Sequence, residues 1–443
     1  MQKLRFIHAA DLHLDSPFKG LSGLPNDIRA HVRDSTHAAY DRIIRLAVDE
    51  RVDFVLFAGD IYDTADRPLR AQLRFRQGLE RLAEHGIPAF IVHGNHDPCD
   101  DQERLGAGLP EMVHVFSPQQ AETVPVIGRK GQTLAWVHGI SYGQRAETDN
   151  LARRLARADS PLFQAALLHA NIDGDLNHDN YAPCSLSELV RARMDYWALG
   201  HIHTRRVLHV MPTVAYPGNP QGRSVLETGA RGCFLAEAAS SDVRLHFHPT
   251  DIVRWDILEV PIDGLVHERD LQKRIAERIE AARREAGGRP VMARLYLTGR
   301  GPLHRLLSKE GRFDEWISAL RDEEQSAHRM MDSGGLLYDE FGNRKASPWV
   351  WIESCRIRSG LPIDLAALAA ENGFLGDLLR LSKDLEADSE ALSAFAREAI
   401  ASLADHPKAG AAAEKLAAAE AGEWLKAAVE MAIERIAEEE GWS

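Results

Sequence analysis

From the start of the chain to about residue 250, short apolar runs alternate with stretches of helical periodicity, and several of the runs stop directly at a polar cluster. Residues 4–10 run into Asp11, 54–58 into Gly59 and Asp60, 88–93 into Gly94 and Asn95, 165–168 into His169, and 196–199 into Gly200 and His201. Apolar runs of this length bounded by turn residues read as buried strands, and their alternation with helices predicts an α/β sheet architecture. Ligands of α/β sheets gather outside the ends of the strands, so five polar strand ends predict one shared site.

After residue 254 the rhythm changes. Residues 255–260 read as a strand, 266–286 as a charged helix, 291–298 as a strand and, after a further helix, 349–355 as another strand, which together predict a small α+β domain. Beyond Pro362 the chain is rich in Ala, Leu and Glu. Leu392, Phe395, Ala399 and Leu403 fall at helical spacing, as do Leu425, Val429, Ile433 and Ile436. Pro407 is expected to separate those two helices, and the Ala-rich stretch 409–421 is compatible with helix. Three regions follow: 1–254, 255–360 and 361–443.

A length of 443 residues at 44% hydrophobic content fits several soluble domains. The N-terminal residues mix apolar and charged side chains, without the long apolar stretch of a signal peptide or membrane span, so a cytoplasmic protein is expected. Cys99, Cys184, Cys233 and Cys355 are far apart in sequence and form no paired motif, so they read as reduced thiols. The net charge of −13 argues at first sight against a polyanionic ligand. Residues 1–250, however, carry 27 Lys+Arg against 30 Asp+Glu, so most of the acidity lies further on and nucleic acid is not excluded.

Five polar groups stand at or just beyond these run ends: Asp11-Leu-His13, Gly59-Asp60-Ile-Tyr-Asp63, Gly94-Asn95-His96-Asp97, His169 and Gly200-His201-Ile-His203. Carboxylate, imidazole and amide oxygen are all acceptable ligands for divalent ions, and one carboxylate can bridge two of them. Taken singly each group is weak, since the chain has 20 histidines and those in apolar runs, such as His93 and His138, read as packing residues. Asp63 could equally cap the helix that begins near Arg67. The ordered set as a whole is specific.

These blocks resemble the motifs of the calcineurin-like metallophosphoesterase superfamily over roughly residues 4–203. The resemblance implies a four-layer α/β fold of two packed β-sheets flanked by helices, followed here by the small α+β cap and the helical C-terminal region. It implies two divalent ions, with manganese preferred. Asp11, His13, Asp60 and His203 would hold one ion, and Asp60, Asn95, His169 and His201 the other, with Asp60 as the bridge. His96 matches the residue that contacts the phosphate and protonates the leaving oxygen, and Asp63 the carboxylate that orients it. Two dications less two carboxylate charges leave about +2, which attracts a phosphodiester and lowers the pKa of a bridging water toward 7.

Within the superfamily, flanking sequence narrows the reading. Residues 11–18, 177–185, 195–203 and 216–224, with Glu227 and Gly229, are similar to SbcD/YhaO-type DNA-repair exonucleases. Asp15 and Asn219 stand where SbcD-type sequences commonly have Gly and Ser, which favours the YhaO branch. The resemblance implies hydrolysis of DNA phosphodiesters. The partners expected are DNA, an SMC-like coiled-coil ATPase for which the helical tail is a candidate attachment surface, and a second copy of the chain, with no membrane. Arg205, beside the ligand His203, is a candidate substrate-binding residue, and Arg67, Arg70, Arg74 and Arg81 fall on one helical face that could meet a DNA backbone or simply be solvated. The competing readings are a phosphodiesterase or phosphatase for small phosphoesters and a docking component of an ATP-driven assembly.

Overall fold

In the computed structural model, which describes residues 3–18, 23–64, 67–99, 108–174, 180–239, 241–308, 312–333, 349–404 and 410–439, every apolar run noted above becomes a strand. In chain order the first elements are β1 (Lys3–Ala9), α1 (Asn26–Asp49), β2 (Phe54–Ala58), α2 (Leu69–Glu84), β3 (Ala89–Val92) and β4 (Val113–Val115). There follow β5 (Glu122–Ile127), β6 (Thr133–Gly139), β7 (Phe163–His169), α3 (Leu186–Arg191), β8 (Tyr196–Gly200), β9 (Arg206–Val210) and β10 (Thr213–Tyr216). A final hairpin is made by β11 (Gly232–Ala239) and β12 (Asp242–Pro249).

These strands make two six-stranded sheets, ordered β12-β11-β1-β2-β3-β4 and β5-β6-β7-β8-β10-β9. In the first, β1 to β4 are parallel and the hairpin joins antiparallel along β1. In the second, β6, β7, β8 and β10 are parallel, with antiparallel β5 and β9 at the edges. The continuous apolar run of β2 has a direct cause, because both of its faces are covered. Phe54, Leu56 and Ala58 pack between the sheets with Phe6, Phe163 and Tyr196, while Val55 and Phe57 pack outward with Tyr40, Ile43, Phe75 and Leu79 of α1 and α2. A third core lies on the far face of the second sheet around Trp197, Leu199 and Leu189 of α3. The architecture is therefore the expected α/β fold of two packed sheets flanked by helices.

Further along are β13 (Arg254–Pro261), α4 (Glu268–Glu285), β14 (Val291–Thr298), α5 (His304–Leu307), α6 (Arg312–Ser333) and β15 (Val350–Ile357), with the strands ordered β13-β14-β15. The last elements are helical: α7 (Leu365–Ala370), α8 (Phe374–Ala387), α9 (Ser389–Ala399), α10 (Ala401–Ala404) and α11 (Gly410–Glu439). Leu425, Val429 and Ile433 of α11 bury against Leu368 and Leu375, as their spacing requires. The periodic stretch through Leu403 is interrupted at Ile400, and Pro407 lies outside the described residues. The chain forms two compact units, one of residues 1–256, 283–293 and 328–353, the other of 257–282, 294–327 and 354–443. Among the described residues no helix is long and apolar enough to cross a membrane.

Candidate metal centre

The site is built where the parallel strands of both sheets end. Beyond β1 the chain continues alongside the end of β2, with the N–H groups of Asp11, His13 and Leu14 donating to the carbonyls of Gly59, Asp60 and Ile61 at 3.1, 3.0 and 2.9 Å. This rung-by-rung extension turns Asp11, His13 and Asp60 toward one point. It holds them in the left-handed region, at φ 53°, 43° and 49°, and His201 lies at φ 99°. A non-glycine residue there costs on the order of 1–3 kcal/mol, a strain that clusters at functional sites. Two glycines are required by close approach. A Cβ on Gly94 would meet the Asp60 carboxylate and the His169 ring, and a Cβ on Gly200 would run into the backbone carbonyl of Ala58.

The side chains so positioned converge. Asp60 Oδ2 lies 3.5 Å from His169 Nε2 and 3.8 Å from His13 Nε2. Around His169, Asn95 Oδ1 is 3.0 Å from its Nε2 and 3.2 Å from His201 Nδ1. Around His13, the Nε2 atoms of His13 and His203 are 3.1 Å apart. Asp11 Oδ1 accepts the backbone N–H of His201 at 2.9 Å, and its other oxygen is buried without a hydrogen-bond partner.

Tautomers follow from the outer partners of the rings. The Ala58 carbonyl accepts from His169 Nδ1 at 2.9 Å and the Glu227 carboxylate accepts from His203 Nδ1 at 2.7 Å. Both rings are thus left with Nε2 lone pairs aimed inward. His13 Nδ1 is 3.1 Å from the Asp63 carboxylate, though without the alignment of a hydrogen bond. Lone pairs of carboxylate, amide and imidazole that face one another at 3 to 4 Å repel unless a cation lies among them, and an orphaned buried carboxylate oxygen costs further. The donor set fits divalent metal ions. Three overlapping groups have their ligand atoms within 4.8 Å of one another: Asp11, His13 and His203; His13, Asp60 and His96; and Asp11, Asp60 and His169.

Electrostatics agree with this geometry. Burial and the neighbouring Asp60 push Asp11 well above the carboxylate range, and burial together with Asp97 pushes Asp60 up to about 6. Burial holds His169 down at about 4, and burial with nearby Arg223 holds His13 well below its ordinary value. Two carboxylates that resist ionising side by side and imidazoles kept neutral are ready-made ligands for a cation.

The remaining predicted residues divide. His96 stands at the rim, its ring 4.9 Å from that of His13. Its backbone N–H donates to Asp60 Oδ1 at 2.9 Å, and its Nδ1 donates to the Asp63 carbonyl at 2.8 Å. The contact from Asp63 to His96 is thus made by the main chain. The Asp63 carboxylate is drawn away to Arg223 Nη1, 2.5 Å distant, and to His13, because a guanidinium outcompetes an imidazole for it. Arg205 makes no contact with the cluster among the described residues. Its guanidinium lies over the Phe247 ring, 4.0 Å from the centroid. Of the arginines read as one face, Arg70 pairs with Asp34 at 2.8 Å and Arg74 with Asp41 at 3.0 Å, while Arg67, just before α2, is buried on the carbonyls of Asp97 and Pro98.

Three residues were noted in the sequence without the supporting roles that the structure gives them. Glu227 orients His203 and also accepts from Arg223 N at 2.7 Å and Asn219 Nδ2 at 2.9 Å. Burial alone would raise its carboxyl, but His203 and Arg223 hold it well below the usual range. Arg223 ties Asp63 to Glu227. Buried Asp97 accepts the N–H groups of Ile61 at 2.8 Å and Gly94 at 3.0 Å, so it fixes the two loops that carry Asp60 and Asn95. The four-residue spacing of Arg223 and Glu227, inside a polar segment following the last histidine pair, was the available signal.

Known proteins share these features. Residues 4–205 match the family model described as calcineurin-like phosphoesterase, and residues 255–360 match the middle domain of the metallophosphoesterase YhaO. The chain is 39% identical over 329 residues to the uncharacterized metallophosphoesterase YhaO of Bacillus subtilis, covering 74% of this chain and 80% of that one. It is 27% identical over 262 residues to a component of the nuclease SbcCD of the same organism, covering 51% of this chain and 64% of the relative. It is 26% identical over 212 residues to the DNA double-strand break repair protein Mre11 of Sulfurisphaera tokodaii, covering 47% and 51%. A cluster of carboxylates, amide and imidazoles at the strand ends of two packed sheets, with family matches across both regions, makes this chain a calcineurin-like metallophosphoesterase of the YhaO family.

Proposed function

We propose that the chain hydrolyses DNA phosphodiester bonds at a dinuclear metal centre. In this reading Asp11, His13, Asp60 and His203 hold one ion and Asp60, Asn95, His169 and His201 the second, with Asp60 shared. The observation that carries it is the pair of clusters of potential ligand atoms on either side of Asp60 Oδ2, which lies 3.8 Å from His13 and 3.5 Å from His169. Bound divalent ions would polarise the phosphoryl group and supply hydroxide near neutral pH. Manganese is the preferred ion on mixed oxygen and nitrogen ligation.

The chain's own residues supply the proton. With Nδ1 of His96 donating to the Asp63 carbonyl, Nε2 is the free ring atom, and the imidazolium form would give its Nε2 proton to the departing oxygen and return to the neutral ring, a contribution of about two to four orders of magnitude. Arg223 holds Asp63 in place and Glu227 fixes the tautomer of His203.

DNA as substrate rests on the likeness to the SbcCD nuclease and to the Mre11 DNA double-strand break repair protein, and on the near-neutral charge of residues 1–250. A relative that is one component of a two-part nuclease supports a partner here, which the family resemblance implies to be an SMC-like coiled-coil ATPase. We assign residues 1–254 to catalysis, 255–360 to a cap and 361–443 to attachment, in a cytoplasmic enzyme. Hydrolysis of end-labelled duplex DNA compared with nucleoside monophosphates tests the substrate. Metal-dependent cleavage of DNA is expected, and turnover confined to the monophosphates would overturn the reading.

A further inference from the structure

Beside His203 lies a small cavity of about 160 Å3. Its walls come from three segments, one of them contributing Pro217 alone. Thr204 and Arg205 follow the histidine pair directly, and Thr228 and Arg231 follow Glu227. Two arginines and two threonines are among its lining residues, and among the described residues lining it there is no Asp or Glu.

The two arginines differ in how they are held. Arg231 is buried, and its guanidinium donates to the carbonyls of Thr228 and His203 and to Asn219 Oδ1. It therefore fixes the wall of the cavity, and the nearby carboxylates of Glu227 and Asp251 partly offset its charge, which leaves Arg205 as the group that would carry anion binding. Arg205 is exposed. It has no acidic partner among the described residues, and its guanidinium is propped 4.0 Å above the ring of Phe247 on β12. An unpaired surface arginine ordinarily samples many rotamers, whereas stacking on an aromatic face pre-organises its donors. The contrast with α2 is informative, because Arg70 and Arg74 there are each paired with a carboxylate.

Size and charge together define the ligand. Sites for small molecules and cofactors occupy about 300–1,000 Å3, so this cavity is too small for a nucleotide but suits a single anionic group. We propose that it is a phosphate subsite, which takes the backbone phosphate adjacent to the one cleaved. The inference rests on the DNA reading and deepens it. A polynucleotide whose reacting phosphate sits at the metal centre necessarily carries a neighbouring phosphate along the strand, and the shared wall residue His203 puts the two sites side by side. Arg205 would meet that phosphate with charge-assisted hydrogen bonds, and a substrate with a single phosphate would gain nothing from it. The subsite would thus separate polynucleotides from small phosphodiesters that the metal motifs alone cannot distinguish.

The test compares two substrates of the same manganese-loaded enzyme: a short single-stranded oligonucleotide, and bis(p-nitrophenyl) phosphate, which has no second phosphate. In Arg205→Ala, the ratio of kcat/KM on the oligonucleotide to that on the small diester should fall by roughly tenfold or more, the scale of a hydrogen bond to a charged group. The loss should lie mainly in KM. Arg205→Lys should fall between the two, since it keeps the charge and loses the planar fork. The salt dependence of oligonucleotide binding should also flatten by about one phosphate contact. If the wild-type enzyme cleaves the small diester but no oligonucleotide, the DNA reading fails and the subsite with it. If it cleaves the oligonucleotide and Arg205→Ala leaves the ratio unchanged, the subsite alone is overturned.

Discussion

Replacing Glu227 by Gln isolates what a residue outside the ligand set contributes to the metal centre. Both oxygens of Glu227 act as acceptors. Oε1 takes the Nδ1–H of His203 at 2.7 Å, and Oε2 takes the N–H of Arg223 at 2.7 Å and the amide of Asn219 at 2.9 Å. Glutamine has one oxygen and one NH2, so one of these faces must meet a donor. The oxygen stays where two short bonds need it, because neither a backbone N–H nor this Asn219 amide nitrogen can become an acceptor, whereas the second donor at Oε1, the Arg223 guanidinium, is 3.5 Å away. The NH2 then faces His203, which accommodates it by moving its proton from Nδ1 to Nε2. A protonated Nε2 cannot bind a metal. Losses from this kind of outer contact run to about 10–100-fold in metal affinity, or about 1.4–2.8 kcal/mol, and the forced tautomer places Glu227→Gln at the upper end. Calorimetric titration of the apoprotein with manganese should find one of two sites weakened by that factor. Unaltered affinity at both sites would refute the tautomer argument.

His96→Ala should retain its metal yet lose about two to four orders of magnitude on a DNA phosphodiester, and much less on a p-nitrophenyl diester whose leaving group needs no proton; equal losses on both would remove the proton-donor role. Metal affinity should weaken as pH falls from about 7 to 5, since burial raises Asp60 to about 6 in the folded apoprotein and an arriving ion must displace its proton below that pH. Titrations at three pH values check this, and a flat profile would contradict it. Gly200→Ala should lower the stability of the metal-free protein by about 1–3 kcal/mol, because the added Cβ enters the Ala58 carbonyl on the neighbouring β2; thermal melts measure the cost, and an unchanged melting temperature would deny the close packing.

How much of this was legible in the sequence depends on the length scale of the interaction concerned. The strands of the catalytic region were readable because burial on both faces makes them continuous apolar runs. Their ends were readable because Asp11, Asp60, Asn95, His169 and His201 follow those runs within one or two residues. Pairings between distant segments left no such mark. The acids of α1 that neutralise Arg70 and Arg74 lie more than thirty positions earlier, so these two arginines looked available when they are paired. Asp63 was assigned to His96 through its side chain, yet the carbonyl makes the contact, and sequence does not distinguish a main-chain acceptor from the carboxylate of the same residue. Glu227 and Arg223 lay in a segment noted only for its likeness to nucleases, and their role depends on the fold bringing that segment behind His203.

The central claim is that Asp60 joins two metal ions into one centre that cuts DNA. The most direct measurement reconstitutes wild-type and Asp60→Ala protein with manganese, then follows bound metal per chain and cleavage of end-labelled DNA in the same samples. The account requires about two ions per chain and metal-dependent cleavage in the wild type, with both lost in the variant. Full occupancy and undiminished cleavage in Asp60→Ala would contradict it.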